Sequence, residues 1–482
     1  MHGSTSARSA DDTLRAMTRI LGPDAVLAPG AQGFTRYDRD QTHNERYRHA
    51  PDVVVFPANT EEVQAVLRYA NDACCPVTPR GGGTGLSGGA VPAHGGIALS
   101  LERMTRIVEV DTQNLTATVE PGVVTADLDR ALEPHGLFFP GYPMSDDVCT
   151  IGGNVAENAG GGRAVRYGVT GDYVLGLEFV AADGRVCRFG GKRLKDVTGY
   201  DMKRLIVGSE GTLGVVTEVT LRLLPRPQHR HAAIALFSTT DDALEAVRNI
   251  IADYRVAPSA VEYMDRMSLS ETCVRLKETL PYGNAVAMLL VETEGRTETE
   301  ATHSLEAAVE HLTLHALHTD TAHTSDGYER FWKIRKRVPW TLKSLGREQS
   351  HEDLSVPVAA IPDMIAYLSE LSRQYGVDIP CFGHAADGNL HAVPVCPKDM
   401  DTSTWNDLLP KLLGSMYRKA VDLGGTISGE HGIGHKRISY MNAIMDPVAL
   451  ELMRRVKQAF DPKGIMNPGK IFPDATTPTP GE

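Results

Sequence analysis

Arg80-Gly81-Gly82-Gly83-Thr84-Gly85-Leu86-Ser87-Gly88-Gly89 places six glycines in ten residues. Without a Cβ, such a backbone can approach a ligand closely and turn its amides toward an anion. A Walker loop would close on Gly-Lys-Ser or Gly-Lys-Thr, and neither is here. A dinucleotide fingerprint can be drawn through Gly83, Gly85 and Gly88, with Glu102 at a tolerable distance, but that motif must open a helix. Gly89, Pro92, Gly95 and Gly96 follow and prevent one. Two readings remain: a non-helical loop wrapping a pyrophosphate with main-chain N–H groups, or a glycine hairpin with no ligand.

Two further segments weigh against the hairpin. Thr150-Ile151-Gly152-Gly153-Asn154-Val155-Ala156 leads into Gly160-Gly161-Gly162 and Arg166-Tyr167-Gly168. Gly208-Ser209-Glu210-Gly211-Thr212-Leu213-Gly214-Val215 is the third. Three such loops in one region can enclose one long, flat, anionic cofactor. Between them, residues 51–225 alternate strands and helices. Val53–Phe56 reads as a strand, and Asn59 or Thr60 caps a helix with Val63, Val66 and Leu67 on one face. Ile97–Leu101, Ile107–Val110 and Leu115–Val119 read as strands.

Pro225-Arg226-Pro227 marks a boundary. Beyond it the pattern is α+β without dense glycine. Strands are expected at Ala232–Phe237 and Ala285–Val291, and helices at Asp242–Asp253, 299–312, 361–375 and Pro447–Phe460. The tail after Phe472 is expected to be disordered.

The chain has 482 residues and a net charge of -12, which argues against nucleic acid as a partner. It has no apolar run long enough to span a bilayer, and Met1–Asp12 lacks the apolar core of a secretory signal. A cytoplasmic protein is expected, with peripheral docking at the inner face of the membrane compatible with that. The seven cysteines form no CxxC pair, so neither a zinc ribbon nor an iron–sulfur cluster is read from them.

Phe382-Gly383-His384-Ala385-Ala386-Asp387-Gly388-Asn389-Leu390-His391 holds two imidazoles around a strong Asp-Gly turn signal. Gly429-Glu430-His431-Gly432-Ile433-Gly434-His435 supplies a carboxylate and two more imidazoles. Two neutral histidines and one carboxylate suit an open divalent-metal site for Zn, Fe or Mn. Phe331-Trp332-Lys333-Ile334-Arg335-Lys336 is a basic, aromatic helix segment that reads either as a solvated face or as an anion anchor.

The ordered series PRGGGTGLSGG, TIGGNVAENAGGG, RYGVTGD and GSEGTLGV resembles the vanillyl-alcohol oxidase / p-cresol methylhydroxylase superfamily. Within it, the chain resembles the branch of D-lactate dehydrogenase, the glycolate oxidase flavin subunit and D-2-hydroxyglutarate dehydrogenase, from about 50 to 472. The resemblance implies an α+β protein. Residues 1–225 would form a two-subdomain FAD-binding domain and 226–440 a substrate cap with a metal site. Residues 441–482 would return a C-terminal helix to the FAD domain. The cofactor residues it implies are Pro79, Arg80, Gly81, Gly82, Gly83, Thr84, Gly85, Ser87, Gly88, Thr150, Gly152, Gly153, Asn154, Ala156, Gly160, Gly161, Tyr167, Gly168, Glu210, Gly214, Val215 and Asn467. Some members attach the flavin through a histidine in the first loop. This loop has none, so the FAD is expected to be non-covalent.

The same resemblance implies His384, His391 and Glu430 as metal ligands, zinc first with manganese or iron as alternatives. It implies His431 as general base and Arg335 as the anchor of the substrate's C1 carboxylate. His435 has no role assigned by it. The hydroxyglutarate enzymes hold a second carboxylate with a threonine, a lysine and an asparagine, where this chain has Pro339, His351 and Val393. A short monocarboxylic acid is therefore expected. The expected reaction is oxidation of a D-2-hydroxy acid, D-lactate to pyruvate, with glycolate and D-2-hydroxyglutarate as alternatives. Electrons would leave to an external acceptor: a quinone, a cytochrome, an electron-transfer flavoprotein or an iron–sulfur partner subunit. Three rivals stand beside it: a metal-dependent hydrolase, redox-neutral flavin chemistry, and a non-catalytic flavin subunit. Nothing in the sequence reads the oligomeric state; a homodimer is the working expectation.

Overall fold

The computed structural model describes residues 9–42, 44–345 and 348–473. By packing, these fall into two units. One gathers 9–159, 169–225 and 431–473; the other gathers 160–168 and 226–430. The division after Glu430 comes ten residues before the boundary expected at 440. It also assigns 160–168 to the second unit. The expected tail disorder concerns residues that, from 474, lie outside those described.

The first unit starts from a buried parallel pairing. Val53–Val55 lies beside Ile97–Leu99, and Val77–Arg80 beside Ile97–Ser100. A parallel return needs a crossover, and the helix Thr60–Ala73 supplies it. Asn59 caps that helix, its Oδ1 accepting from Glu62 N at 2.9 Å. Val63, Val66, Leu67 and Ala70 fall on one face and are buried against Val53, Val55, Val77 and Leu99. The chain leaves Arg80 directly into the glycine loop, so this small sheet aims the loop. A five-stranded antiparallel sheet follows, ordered Ile107–Asp111, Thr116–Val119, Gly214–Arg222, Val174–Ala181 and Val186–Gly190. The last helix, Pro447–Phe460, belongs to this unit. Lys457 Nζ donates to Thr212 O and Met466 O, and Phe460 stands edge-on to Phe179.

The second unit is a seven-stranded sheet, antiparallel throughout. Its order is Ala316–Ala322, His229–Phe237, Ala287–Gly295, Pro258–Asp265, Cys381–His384, Asn389–Ala392 and Glu352–Ser355. Every residue of Ala287–Gly295 is buried, so helices cover both faces there. The helix Glu298–Thr313 packs on His229–Phe237 and Ala287–Gly295, and Ser325–Lys343 packs on the helix Arg266–Leu276. Arg335 rides on Ser325–Lys343.

Most expected elements are present with shifted ends. Ala232–Phe237 is His229–Phe237, Ala285–Val291 is Ala287–Gly295, and Pro447–Phe460 is found as expected. The strands Val174–Ala181, Val186–Gly190 and Gly214–Arg222 and the helix Thr402–Asp422 were not anticipated. The first three sit among turns and glycines that hide their period, and the last carries Pro410 within it. None of the seven cysteines, all of them among the described residues, forms a disulfide.

Leu67 is completely buried at the centre of the first unit's core. Leu67→Ala leaves a cavity there and is expected to cost about 2–5 kcal/mol, read as a lowered midpoint in denaturant unfolding.

Candidate functional site

In the first unit the glycine loops pack so closely that side chains are excluded. A Cβ on Gly81 would stand 2.6 Å from Thr150 Oγ1, and one on Gly82 2.6 Å from Val148 O. Gly83 takes φ +67°, where a Cβ would meet Arg80 Nη2 at 2.1 Å. The Arg80 guanidinium itself turns into the fold and is spent on backbone carbonyls. It donates to Arg39 O at 2.8 Å, Ala90 O at 3.2 Å and Arg36 O at 3.1 Å. The Thr150 and Ser87 hydroxyls are buried with no hydrogen-bond partner in the protein. Buried hydroxyls beside a side-chain-free backbone fit a cofactor rich in phosphate oxygens.

Glu210 and Asn467, both expected at the flavin, bond to the backbone of neighbouring loops. Glu210 accepts from Ile433 N and Gly434 N, both at 2.7 Å, and so fixes the loop that follows His431. Asn467 donates to Gly89 O and Glu210 O. Asp40 Oδ2 accepts from Gly88 N at 2.8 Å. Glu157 is buried beside Gly89 and Gly432, where a Cβ would stand 2.8 Å and 2.3 Å from its oxygens. Burial first, then the Glu210 and Asp40 charges, push its carboxyl well up. Lys470, also buried and held down to about 8 by that burial, donates to Val91 O. Four of the expected cofactor residues, Gly160, Gly161, Tyr167 and Gly168, pack in the second unit, where Tyr167 OH donates to Glu294.

In the second unit a strand register collects the chemistry. Residues directly opposite in an antiparallel pair share a face, and i and i+2 share it along a strand. Glu262 lies opposite His384, Phe382 opposite His391, and His391 opposite Asp353. Glu262, His384, His391 and Asp353 therefore all stand on one face. The Ala385–Gly388 turn joins the two histidine strands. Gly388, at φ +87°, lies so near Val356 O that a Cβ would come within 1.9 Å.

Both expected histidines face the Glu430 carboxylate. His384 Nε2 lies 3.8 Å and His391 Nε2 3.4 Å from Glu430 Oε1. The segment carrying Glu430 is pinned by Asp353, whose Oδ2 accepts from Ser428 Oγ at 2.7 Å and Glu430 N at 2.9 Å. Asp353, His391 and Glu430 offer ligand atoms within 4.8 Å of one another. His384 Nδ1 is held by Glu262 Oε1 at 2.6 Å, which fixes the ring as a metal-ligating histidine is usually fixed. Two imidazole nitrogens and a carboxylate oxygen fit Zn, Mn or Fe. These residues would hold such an ion. His431 follows Glu430 directly in the chain.

Arg335 is 2% exposed. Its Nε is ion-paired with Glu262 Oε2 at 2.5 Å, its guanidinium covers the Phe382 ring, and neither Nε nor Nη2 donates a hydrogen bond within the protein. Burial alone would raise Glu262, but the Arg335 and His384 charges outweigh it and hold the carboxyl below its usual range. Burial would likewise lower His384, yet Glu262 and Glu430 carry it well above its usual range. Asp387, in the turn, is pushed up to about 6 by burial.

Sequence reasoning missed Glu262, Asp353 and Glu292. Glu292 is fully buried and takes Arg163, Ser259, Tyr328 and Trp332 as donors. A usable signal existed: Glu262 interrupts the apolar run Ala260-Val261-Glu262-Tyr263-Met264. A carboxylate in such a strand must find a cation or donors.

Residues 51–190 match the FAD binding domain family, and residues 226–471 match FAD linked oxidases, C-terminal domain. The chain is 39% identical over 466 residues to glycolate oxidase subunit GlcD of Bacillus subtilis, across 96% of this chain and 97% of that protein. It is 40% identical over 419 residues to D-lactate dehydrogenase of Archaeoglobus fulgidus, across 87% and 91%. It is 33% identical over 461 residues to D-2-hydroxyglutarate dehydrogenase of Stutzerimonas stutzeri, across 94% and 97%. Among solved structures, p-cresol methylhydroxylase with substrate bound matches at TM-score 0.77 and 18% identity, across 96% and 97%, which shows the same fold.

His435, given no role by the sequence, packs against Gly88 and faces Gly469 O at 3.1 Å. Burial, then the Lys470 charge, lower it to about 4 from 6.5. A depressed histidine is neutral when folded, so its contribution is intact above about pH 6.5 and is lost as pH falls toward 4. The Tm of His435→Gln is expected to fall less than that of the wild type between pH 6.5 and 4.5.

Proposed function

Since the chain belongs to the family of FAD-linked oxidases, we propose that it oxidises a short D-2-hydroxy acid, D-lactate first, to the 2-oxo acid. The observation that carries this reading is the gathering of His384, His391, Glu430 and Arg335 in one unit, with Arg335 buried and its Nη2 unpartnered. When bound, FAD supplies the acceptor for the C2 hydride, and a divalent ion supplies Lewis acidity at the hydroxyl.

The protein's own groups do the rest. Arg335 takes the substrate carboxylate through its free guanidinium edge and fixes its plane. His384, His391 and Glu430 would hold the ion. His431 accepts the hydroxyl proton at an imidazole nitrogen as the hydride leaves. Val393 is fully buried and Pro339 lies inside the helix that carries Arg335. Neither can bind a second carboxylate, which favours lactate or glycolate over hydroxyglutarate. His351 is buried and retains an imidazole. The first glycine loop has no histidine, so the FAD is non-covalent. With no cysteine motif for a cluster, electrons leave to an external acceptor. No described helix is long and apolar enough to cross a membrane.

A second reading, the flavin subunit of a glycolate oxidase, is favoured by the name of the Bacillus subtilis relative. Anaerobic mixing separates the two. D-lactate is expected to bleach the flavin absorbance near 450 nm faster than glycolate, L-lactate or D-2-hydroxyglutarate. His431→Ala is expected to slow bleaching by about 10²-fold or more, and removal of metal by a chelator to abolish it. A flavin that no hydroxy acid bleaches would overturn the dehydrogenase reading and leave redox-neutral chemistry.

A further inference from the structure

We propose that Glu262 is a positioning residue that ties the carboxylate anchor Arg335 to the metal ligand His384 and so fixes the spacing that a 2-hydroxy acid must match. The inference rests on the proposed roles of those two residues. Glu262 itself is completely buried in the strand Pro258–Asp265. Its two oxygens are divided between two groups: Oε2 lies 2.5 Å from Arg335 Nε, and Oε1 lies 2.6 Å from His384 Nδ1.

Neither partner has much freedom to move. His384 sits directly opposite Glu262 in the sheet, so the backbone ladder sets their separation. Arg335 comes from the helix Ser325–Lys343, and its guanidinium is held over the Phe382 ring. The segment that contains Gly162 closes the third side. A Cβ there would stand 2.6 Å from Glu262 Oε1 and 3.5 Å from His384 Cε1, so only glycine lets the backbone cover the pair.

The consequence is chemical. An acceptor at Nδ1 makes that nitrogen the donor, which leaves the Nε2 lone pair for an ion. The ion pair at Nε leaves the Nη2 edge of Arg335 for a ligand carboxylate. A 2-hydroxy acid carries its carboxylate and its hydroxyl on adjacent carbons. The guanidinium edge and the ion must then keep one fixed separation, and a single carboxylate touching both residues keeps it. Glu262 touches neither substrate nor ion in this scheme.

Glu292 provides the control. It too is fully buried, lies on the neighbouring strand, and holds the same helix through Tyr328 and Trp332. It has no bond to a proposed ligand or anchor. In the FAD-loaded protein, Zn²⁺ affinity is measured by competition with a chromogenic chelator, and KM for D-lactate by steady-state turnover with a redox dye as the two-electron acceptor. Glu262→Gln is expected to weaken Zn²⁺ by about 10–100-fold and to raise KM for D-lactate at least as much. Glu292→Gln is expected to lower thermal stability with both quantities within about twofold of wild type.

Glu262→Gln leaves Arg335 without its counter-charge and can fail to fold for that reason alone. Glu262→Gln combined with Arg335→Met removes both charges together, and the same loss of Zn²⁺ affinity is expected of it. Unchanged Zn²⁺ affinity in the Glu262 variants, or an equal loss in Glu292→Gln, would overturn the inference alone. A wild-type protein that takes up no Zn²⁺ would overturn the metal reading and this inference with it. Zn²⁺ binding that depends on Glu262, in a protein whose flavin D-lactate does not reduce, would overturn only the substrate reading.

Discussion

The pleat of an antiparallel sheet has a period of two, and the candidate site depends on that constraint. Glu262, His384, His391 and Asp353 come from four strands, yet the pairings Glu262 with His384 and His391 with Asp353 put them on one face. A slip of one residue in any of these strands would turn its member to the other side. The register is held by apolar neighbours on both faces: Val261, Tyr263, Met264, Leu289 and Leu290 are all buried. The same packing that forms the core of this unit therefore sets the geometry of its chemistry.

Charge follows from that placement. A carboxylate at the centre of a covered sheet has lost its water and must be compensated. Glu262 is compensated by Arg335 and His384, and Glu292 by Arg163 with the Tyr328, Trp332 and Ser259 donors. Both draw on the helix Ser325–Lys343, which explains why a segment that reads as a basic surface helix is buried along Phe331, Trp332, Ile334 and Arg335. In the first unit the solution differs. Glu210 is met by two backbone amides yet is still raised by burial, and burial with the Glu210 and Asp40 charges pushes Glu157 well up.

The local signals in the sequence carried a good part of this. Glycine runs announce backbone that must approach something closely, and Gly81 and Gly82 are such positions. Asp387-Gly388 announced the turn that brings His384 and His391 together, because only a residue tolerant of positive φ can take it. Helix periods marked Thr60–Ala73 and Pro447–Phe460 because a repeating apolar face is written in consecutive residues. Val174–Ala181 and Gly214–Arg222 escaped notice because they mix apolar, charged and glycine positions, and only their pairing partners make them strands.

The sequence by itself determined the α+β character, the glycine-lined binding segments, and the histidine and carboxylate residues available for a metal. These are properties of residue type and short spacing. Tertiary structure alone decided that Glu262, 122 positions from His384, touches it. It also decided that residues 160–168, continuous with a glycine segment of the first unit, pack in the second. Both depend on which strands become neighbours and in what register. That choice is made by burial summed over a whole sheet, and no local stretch of the chain contains it.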